Sequence, residues 1–187
     1  MQAIKWEFVD EPGDGGRFEL PKADGFVIRI TDIVDDEAAQ KIIVTYDIAE
    51  GQHAGIFSAS DFAKRNTWLH EFEIGYGTEW NQWRNEEVDQ KPFFKRFYRA
   101  IEESNPGYRF DGMHPQTFVG KLVGVVFKDY YKTNNRGYED HRWYFVRVHP
   151  ASDIRAGAYK VPDPVDKRTK VISVDATGDT FDDVPFI

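Results

Sequence analysis

The chain has 187 residues, enough to bury a real core, and its 24 Lys+Arg against 32 Asp+Glu give a formal net charge of −8. It contains no cysteine, which excludes disulfide scaffolds, thiolate metal sites and cysteine nucleophiles. No window approaches the roughly 18 apolar residues of a membrane span, and the first residues hold no apolar segment of signal-peptide length, so we expect a cytoplasmic protein with no membrane partner.

Strands are predicted in the first part of the chain. Residues 4–9 indicate a short strand before the turn-rich EPGDGG. Apolar residues then alternate with others over 25–37 and 41–51, the period of two typical of strands, and the DDEAAQ between them predicts a hairpin connection. One face of the second strand carries Ile42, Val44, Tyr46 and Ile48. For residues 52–90, where aromatic islands stand among polar residues, we expect a strand plus irregular loop.

The clearest helix is predicted over residues 92–104, PFFKRFYRAIEES. Pro92 suits the first helical position, and the Asn-Pro-Gly sequence at 105–107 ends the helix. Five apolar residues fall at helical spacing in one stripe: Phe93, Phe94, Phe97, Tyr98 and Ile101. Three cations lie largely off this stripe: Lys95, Arg96 and Arg99.

Two further strands are predicted after the helix. FVGKLVGVVFKDYY forms one, with Gly120 and Gly124 permitting a sharp bend, and RWYFVRVH forms the last, beyond a polar loop. Among the several topologies open to a mixed chain, this order of elements fits the OB-fold, whose five-stranded barrel binds oligonucleotides through its strand 2–3 face and loops. We therefore predict a mainly β chain, with an OB-fold barrel carrying one helix between strands 3 and 4 and an N-terminal extension over residues 1–160. A flexible, extended acidic tail is predicted over 161–187.

Charge is distributed unevenly along the chain. Residues 1–90 have 8 Lys+Arg against 19 Asp+Glu, residues 91–160 have 13 against 7, and residues 161–187 have 3 against 6. This asymmetry indicates a basic binding face and an acidic tail, with chance unevenness of a mixed surface as the alternative.

The predicted hairpin over residues 121–147 interleaves basic and aromatic side chains. Single-stranded nucleic acid needs cations for its phosphates and flat rings for its bases, and each stacked base contributes about 1–3 kcal/mol. We expect the loop tyrosines to be exposed, whereas Trp143 either stacks a base or packs in the barrel. The residues predicted to contact nucleic acid are Lys95, Arg96, Arg99, Lys121, Lys128, Tyr130, Tyr131, Lys132, Arg136, Tyr138, Arg142, Trp143 and Arg147.

Other clusters point less clearly to a function. Trp80 and Trp83 beside Arg84 form either a stacking platform or a cap on an open barrel end, and the acidic residues nearby favour the structural interpretation. The five histidines have no metal-ligand spacing, and no P-loop, G-x-S-x-G or GxGxxG motif occurs. We therefore expect no enzyme activity, no metal and no cofactor.

The final residues, TFDDVPFI, resemble the acidic tip of bacterial single-stranded-DNA-binding proteins, which close with aspartates, a hydrophobic residue, proline and phenylalanine. The matching positions are Asp182, Asp183, Val184, Pro185 and Phe186. Further stretches resemble a family of phage-type proteins described as single-stranded-DNA-binding or of unknown function: FVIRITDIV, KIIVTYDIAEG, KPFFKRFYRAIEESNPGY, VGKLVGVVF and SDIRAGAYKVP. The resemblance covers most of the chain from about residue 24 onward.

This resemblance implies sequence-nonspecific binding and protection of single-stranded DNA in phage-type replication or recombination, in the cytoplasm of a host cell. It also implies that the tip recruits replication or recombination proteins by inserting its Phe ring into a pocket. The bacterial tip ends on Phe, whereas this sequence continues to Ile187, so the receptor or its affinity is expected to differ.

Alternatives remain at this point. The tail either binds such a partner or folds back onto the basic face. The protein is alternatively an interaction adaptor whose barrel is only a scaffold, or a metal-dependent DNA-processing enzyme. The sequence leaves both a monomer and a homo-oligomer open.

Overall fold

The computed structural model describes residues 18–81, 85–133 and 139–168. The strand predicted over residues 4–9 lies outside these ranges. The strands of the described part are β1 (Gly25–Asp36), β2 (Lys41–Ile48), β3 (Glu71–Gly75), β4 (Thr78–Asn81), β5 (Glu86–Asp89), β6 (Leu122–Thr133), β7 (Glu139–His149) and β8 (Val165–Lys167). Its α-helices are α1 (Ile56–Ala59), α2 (Asp61–Arg65), α3 (Lys91–Ser104) and α4 (Ala151–Arg155). Short 3-10 turns cover Thr67–Leu69 and Pro115–Phe118.

Five antiparallel strands form the central sheet in the order β3-β2-β1-β6-β7. Its two outer strands approach each other through side chains, because the rings of Phe72 on β3 and Phe145 on β7 stack with centroids 4.6 Å apart. Helix α3 packs against β3, β6 and β7 and fully buries Phe97 and Ile101. The result is a nearly closed five-stranded barrel with its helix between the third and fourth barrel strands, which confirms the predicted OB-type fold class.

The alternation in β1 changes phase in the middle of the strand. Ile28 and Ile30 are fully buried, but the next buried residue is Ile33. A register shift against β2 between Ile30 and Asp32 marks a β-bulge, which inserts one extra residue and bends the strand. On β2, all four residues of the predicted apolar face are buried: Ile42, Val44, Tyr46 and Ile48.

Helix α3 confirms the predicted helix over residues 92–104, with Pro92 in its first turn. One member of the predicted stripe is misplaced, since Phe93 is 49% exposed. The Arg96 guanidinium carbon lies 5.5 Å from the Phe93 ring centroid. Phe93 therefore faces solvent beside a cation, because the barrel accepts only the face that carries Phe97 and Ile101.

Residues 52–90 contain more structure than the sequence predicted, including α1, α2 and a separate hairpin of β4 with β5. The buried carboxylate of Asp47 stabilises the start of α1. Its Oδ1 accepts a hydrogen bond from the Phe57 N–H at 3.2 Å, and its Oδ2 accepts one from the Ser58 N–H at 2.9 Å. A carboxylate at this position satisfies backbone N–H groups that a short helix leaves free.

Gly124 on β6 is explained by close packing against α4. A Cβ added there would lie 2.5 Å from Ile154 Cγ1 and 2.8 Å from the carbonyl oxygen of His149. Gly120 precedes β6 in a turn with φ of 83°. The sequence analysis assigned a sharp bend to both glycines. In the structure Gly124 instead permits close packing against α4, and Gly120 adopts a left-handed turn before β6.

Strand β8 lies in the segment that the sequence analysis placed in a flexible tail. It pairs in parallel with β6 from Tyr130 to Lys132, beyond the part of β6 that pairs with β1. Residues 169–187, with the predicted tip, lie outside the described ranges. Within the described ranges, no helix has the length and apolar character needed to cross a membrane.

We predict that Gly124→Ala lowers the free energy of unfolding by about 1–3 kcal/mol, because the added methyl group meets backbone carbonyls that cannot move without displacing α4. Denaturant titration measures this loss. Gly75→Ala is the matched control in a barrel strand, since its Cβ would meet only the flexible Gln90 side chain at 3.0 Å. Equal losses in the two variants would contradict the close-packing explanation.

Candidate nucleic-acid interface

The β6–β7 hairpin presents one face to the barrel interior and the other to the outside. Phe127 and Asp129 are buried, and the opposite residues Phe145 and Trp143 pack towards the core. Side chains alternate along a strand, so the intervening residues point outward. A register shift after Val126 keeps Arg147 on this outer side. We call the following set the outer hairpin face: Lys128, Tyr130, Lys132, Arg142, Tyr144 and Arg147.

Two tyrosines form a stacked pair in the centre of the outer hairpin face. The ring centroids of Tyr130 and Tyr144 lie 4.5 Å apart, with an interplanar angle of 26°. Tyr144 is 44% exposed, and Lys167 Nζ from β8 lies 5.9 Å from the Tyr130 centroid. The pair therefore offers an accessible flat ring flanked by a cation, the combination that stacks nucleobases.

Trp68 adds a third ring beside this face. It lies in the 3-10 turn before β3, is 47% exposed, and has the guanidinium carbon of Arg142 4.7 Å from its ring centroid. The sequence analysis did not assign Trp68 to the site. No local sequence pattern could have predicted this contact, because Trp68 and Arg142 are far apart in the sequence and meet only in the folded barrel.

The charge of the outer hairpin face is mainly positive. Asp140 pairs with two of its cations, with Oδ2 2.8 Å from Arg142 Nε and 3.8 Å from Lys132 Nζ. Among the described residues, neither Lys128 nor Arg147 has an ion-pair partner. The nearby carboxylates of Glu139 and Asp166 are paired with Arg168, so the four cations of the face still outnumber Asp140 and can attract a polyanion.

Two predicted contact residues lie on the inner side of the hairpin. Trp143 stacks between Phe26 and Phe127, with centroids 4.9 and 5.2 Å away, and its Nε1–H donates to the Pro21 carbonyl at 2.8 Å. Of the two interpretations of Trp143, the structure therefore supports packing in the barrel. Tyr130 and Tyr131 are both half-buried strand residues rather than exposed loop residues, because β6 continues to Thr133; of the two, Tyr131 lies on the inner side.

Tyr131 belongs to a network that joins the hairpin to neighbouring segments. Its ring stacks on His141 at 4.6 Å, and the Arg168 guanidinium carbon lies 4.9 Å from its centroid. His141 Nε2 lies 2.6 Å from Oδ1 of the buried Asp129, which also accepts a hydrogen bond from the Ala23 N–H at 2.9 Å. This network fixes the inner side of the hairpin.

The remaining predicted contacts lie elsewhere or outside the described ranges. Lys95, Arg96 and Arg99 are exposed on α3, and Lys121 precedes β6 with its Nζ 4.7 Å from the Tyr108 centroid. Positions that the structure does not describe are Trp83, Arg84, Arg136, Tyr138, Asp182, Asp183, Val184, Pro185 and Phe186.

The strand 2–3 face, where OB-folds bind oligonucleotides, is acidic in this protein. Glu71 and Glu73 point outward from β3, and Glu73 pairs with Lys41 at 2.8 Å and raises the pKa of that lysine. The adjoining β4–β5 hairpin adds Glu79, Glu86, Glu87 and Asp89. These carboxylates repel a phosphate backbone. The basic surface of the barrel lies instead on its last two strands, β6 and β7.

Trp80 lies in this acidic region. It is 54% exposed and stands opposite Glu87 across the β4–β5 pair. The Trp80 ring is therefore not a buried cap on the barrel end. The structural interpretation that the sequence favoured is wrong for this residue.

Within the described ranges, no group of three or more His, Asp and Glu side chains is arranged to hold a metal ion. A scan against protein-family models found no match to this chain. A search of curated proteins also found no match.

We predict that Asp129→Asn destabilises the protein by about 1–3 kcal/mol, because a buried carboxylate that satisfies His141 and the Ala23 N–H is replaced by a neutral amide. Thermal and denaturant unfolding measure the loss, and hydrogen exchange should increase across β6 and β7. Asp140→Asn is the matched control on the outer side, where a partly exposed ion pair is worth less than about 1 kcal/mol. A larger loss in the control would refute the role assigned to Asp129.

Proposed function

We propose that this protein binds single-stranded DNA without sequence preference through the outer hairpin face. The observation that carries the proposal is the stacked Tyr130–Tyr144 pair, with Tyr144 44% exposed and Lys167 5.9 Å from the Tyr130 ring. Rings of this kind stack on any base, and the cations neutralise phosphates of any sequence. The exposed Trp68 held against Arg142 extends the same chemistry by one ring.

We further propose, on the sequence resemblance, that the protein protects single strands during phage-type replication or recombination. In this proposal the tip over residues 182–186 recruits the replication or recombination partner. The aspartates of the tip would repel the bound DNA strand. Its apolar residues would bind the partner protein weakly and reversibly, as short segments that order on binding do.

We predict that Tyr130→Ala combined with Tyr144→Ala weakens binding of a short oligo(dT) by at least about tenfold, because each lost stacking interaction contributes about 1–3 kcal/mol. Fluorescence anisotropy at low salt measures the affinity. Tyr144→Phe should retain binding because it keeps the ring. Trp80→Ala is the control, since it removes an exposed ring from the acidic β4–β5 hairpin and should leave binding unchanged.

Salt dependence provides a second readout of the same mechanism. Each phosphate contact on a single strand contributes about −0.7 to the slope of log affinity against log salt, so four cations predict a slope of about −3. Binding that ignores salt, or an unchanged affinity in the double tyrosine variant, would remove the outer hairpin face from the site.

Deletion of residues 179–187 separates DNA binding from partner recruitment. We predict that the shortened protein binds oligo(dT) as well as or better than the full chain, because three aspartates are removed, while it loses its partner proteins. Anisotropy and co-purification measure the two effects. An adaptor would bind no DNA before or after deletion, and a DNA-processing enzyme would cleave the oligonucleotide in the presence of a divalent metal.

A further inference from the structure

A second basic surface lies on the barrel helix, apart from the outer hairpin face. A groove of about 620 Å³ runs between α3 and residues 109–112. Four cations line it: Lys91, Lys95, Arg99 and Arg109. Its two acidic residues, Glu102 and Asp111, are engaged by the protein itself.

The groove carries four cations against two carboxylates, so its surface is net positive. Glu102 is buried, accepts the Phe110 N–H at 3.0 Å and has Oε2 3.6 Å from Arg99. Asp111 accepts hydrogen bonds from His114 and from the Met113 N–H, which lower its pKa to about 2. Among the described residues, Lys91 and Lys95 have no ion-pair partner.

The cations form a row along the helix. Lys91, Lys95 and Arg99 follow each other every four residues, which places them about 6 Å apart along the axis. Like charges at this spacing repel each other and cost a few tenths of a kcal/mol. A repeating anion laid along α3 relieves that repulsion at each cation, whereas a single anion relieves it at one.

Aromatic rings form the wall behind this row. Tyr98 and Phe110 have centroids 5.4 Å apart, and Phe94 lies 5.8 Å from Phe110. All three rings are half-buried in the groove lining. Tyr98 and Phe94 are inclined to the Phe110 ring by 41° and 78°, so the three rings form an irregular apolar wall beside the cations.

We propose that the α3 groove is a second binding segment for the same single strand. This inference rests on the proposed function, because it takes the ligand of the outer hairpin face to be single-stranded DNA. A strand long enough to leave the hairpin continues into the groove, and its phosphates pair with Lys91, Lys95 and Arg99. The second contact is then intramolecular, so it raises affinity only for strands that reach both surfaces.

The test compares oligo(dT) of about 8 nucleotides, within the range of about 4–16 that one OB fold engages, with oligo(dT) of about 30, well above it. We expect Lys91→Gln with Lys95→Gln to lower the affinity for the long strand by about tenfold and its salt slope by about 1.4, with a much smaller effect on the short strand. Lys22→Gln with Lys160→Gln is the charge-matched control, since both lysines are exposed away from the groove. Hydrogen exchange over residues 91–99 and 109–112 should slow with the long strand.

The outcomes separate this inference from the proposed function. If the groove variant loses no more long-strand affinity than the control, the groove is not a DNA segment. If that variant gains affinity, the groove instead holds an acidic segment such as residues 175–183 of this chain, which also overturns the proposal. If the full chain fails to bind the short strand but binds the long one through the groove, the hairpin proposal fails and this one stands. If it binds neither, both fail.

Discussion

The barrel depends on an aromatic contact between its two outer strands. β3 and β7 stand at opposite ends of the hydrogen-bonded strand order, and the stacked rings of Phe72 and Phe145 hold them together. Phe72 also contacts Tyr46 and Phe97, so the contact continues into the core and to α3. Because Phe145 must point inward for this contact, Tyr144 must point outward. The closure of the barrel thus sets the orientation of the outer hairpin face.

Charge separation on one small barrel explains how an anionic protein can offer a basic surface. Carboxylates cover β3 and the β4–β5 hairpin, while the β6–β7 hairpin and α3 carry the cations. Exposed charges are largely screened beyond about 8–10 Å at physiological salt, so each surface acts locally. The net charge of the whole chain therefore does not describe the charge of either surface.

The sequence predicted the parts of the fold that depend on local periodicity. The apolar face of β2 and the limits of α3 follow directly from spacings of two and of three to four residues. Phe93 was wrongly placed in the buried face of α3. The spacing of apolar residues shows which side of a helix is apolar, but not how wide a part of that side the barrel covers. The sequence did not predict the bulge in β1. The extra residue only moves the alternation of buried and exposed side chains by one position, and the strand still contains the same kinds of residue.

Contacts between distant residues account for what the sequence did not predict in the site. Tyr130 and Tyr131 are adjacent, yet pairing with β7 sends one to the outer face and the other to His141. Trp68 reaches Arg142 only because the turn before β3 lies beside β7 when the barrel closes. The spacing of basic and aromatic residues therefore pointed to this hairpin, but only the register of its strands separates residues that face solvent from those that hold the barrel together.

Helix α3 links the stability of the barrel to its second basic surface. Phe97 and Ile101 are fully buried on one side of the helix, so its orientation about its own axis is fixed. The lysines on the opposite side are therefore presented at a constant spacing without any further support. Strand β8 acts similarly at the hairpin, where Lys167 and Arg168 lie over Tyr130 and Tyr131. Because β8 pairs with β6, these two cations keep a fixed position over the two rings.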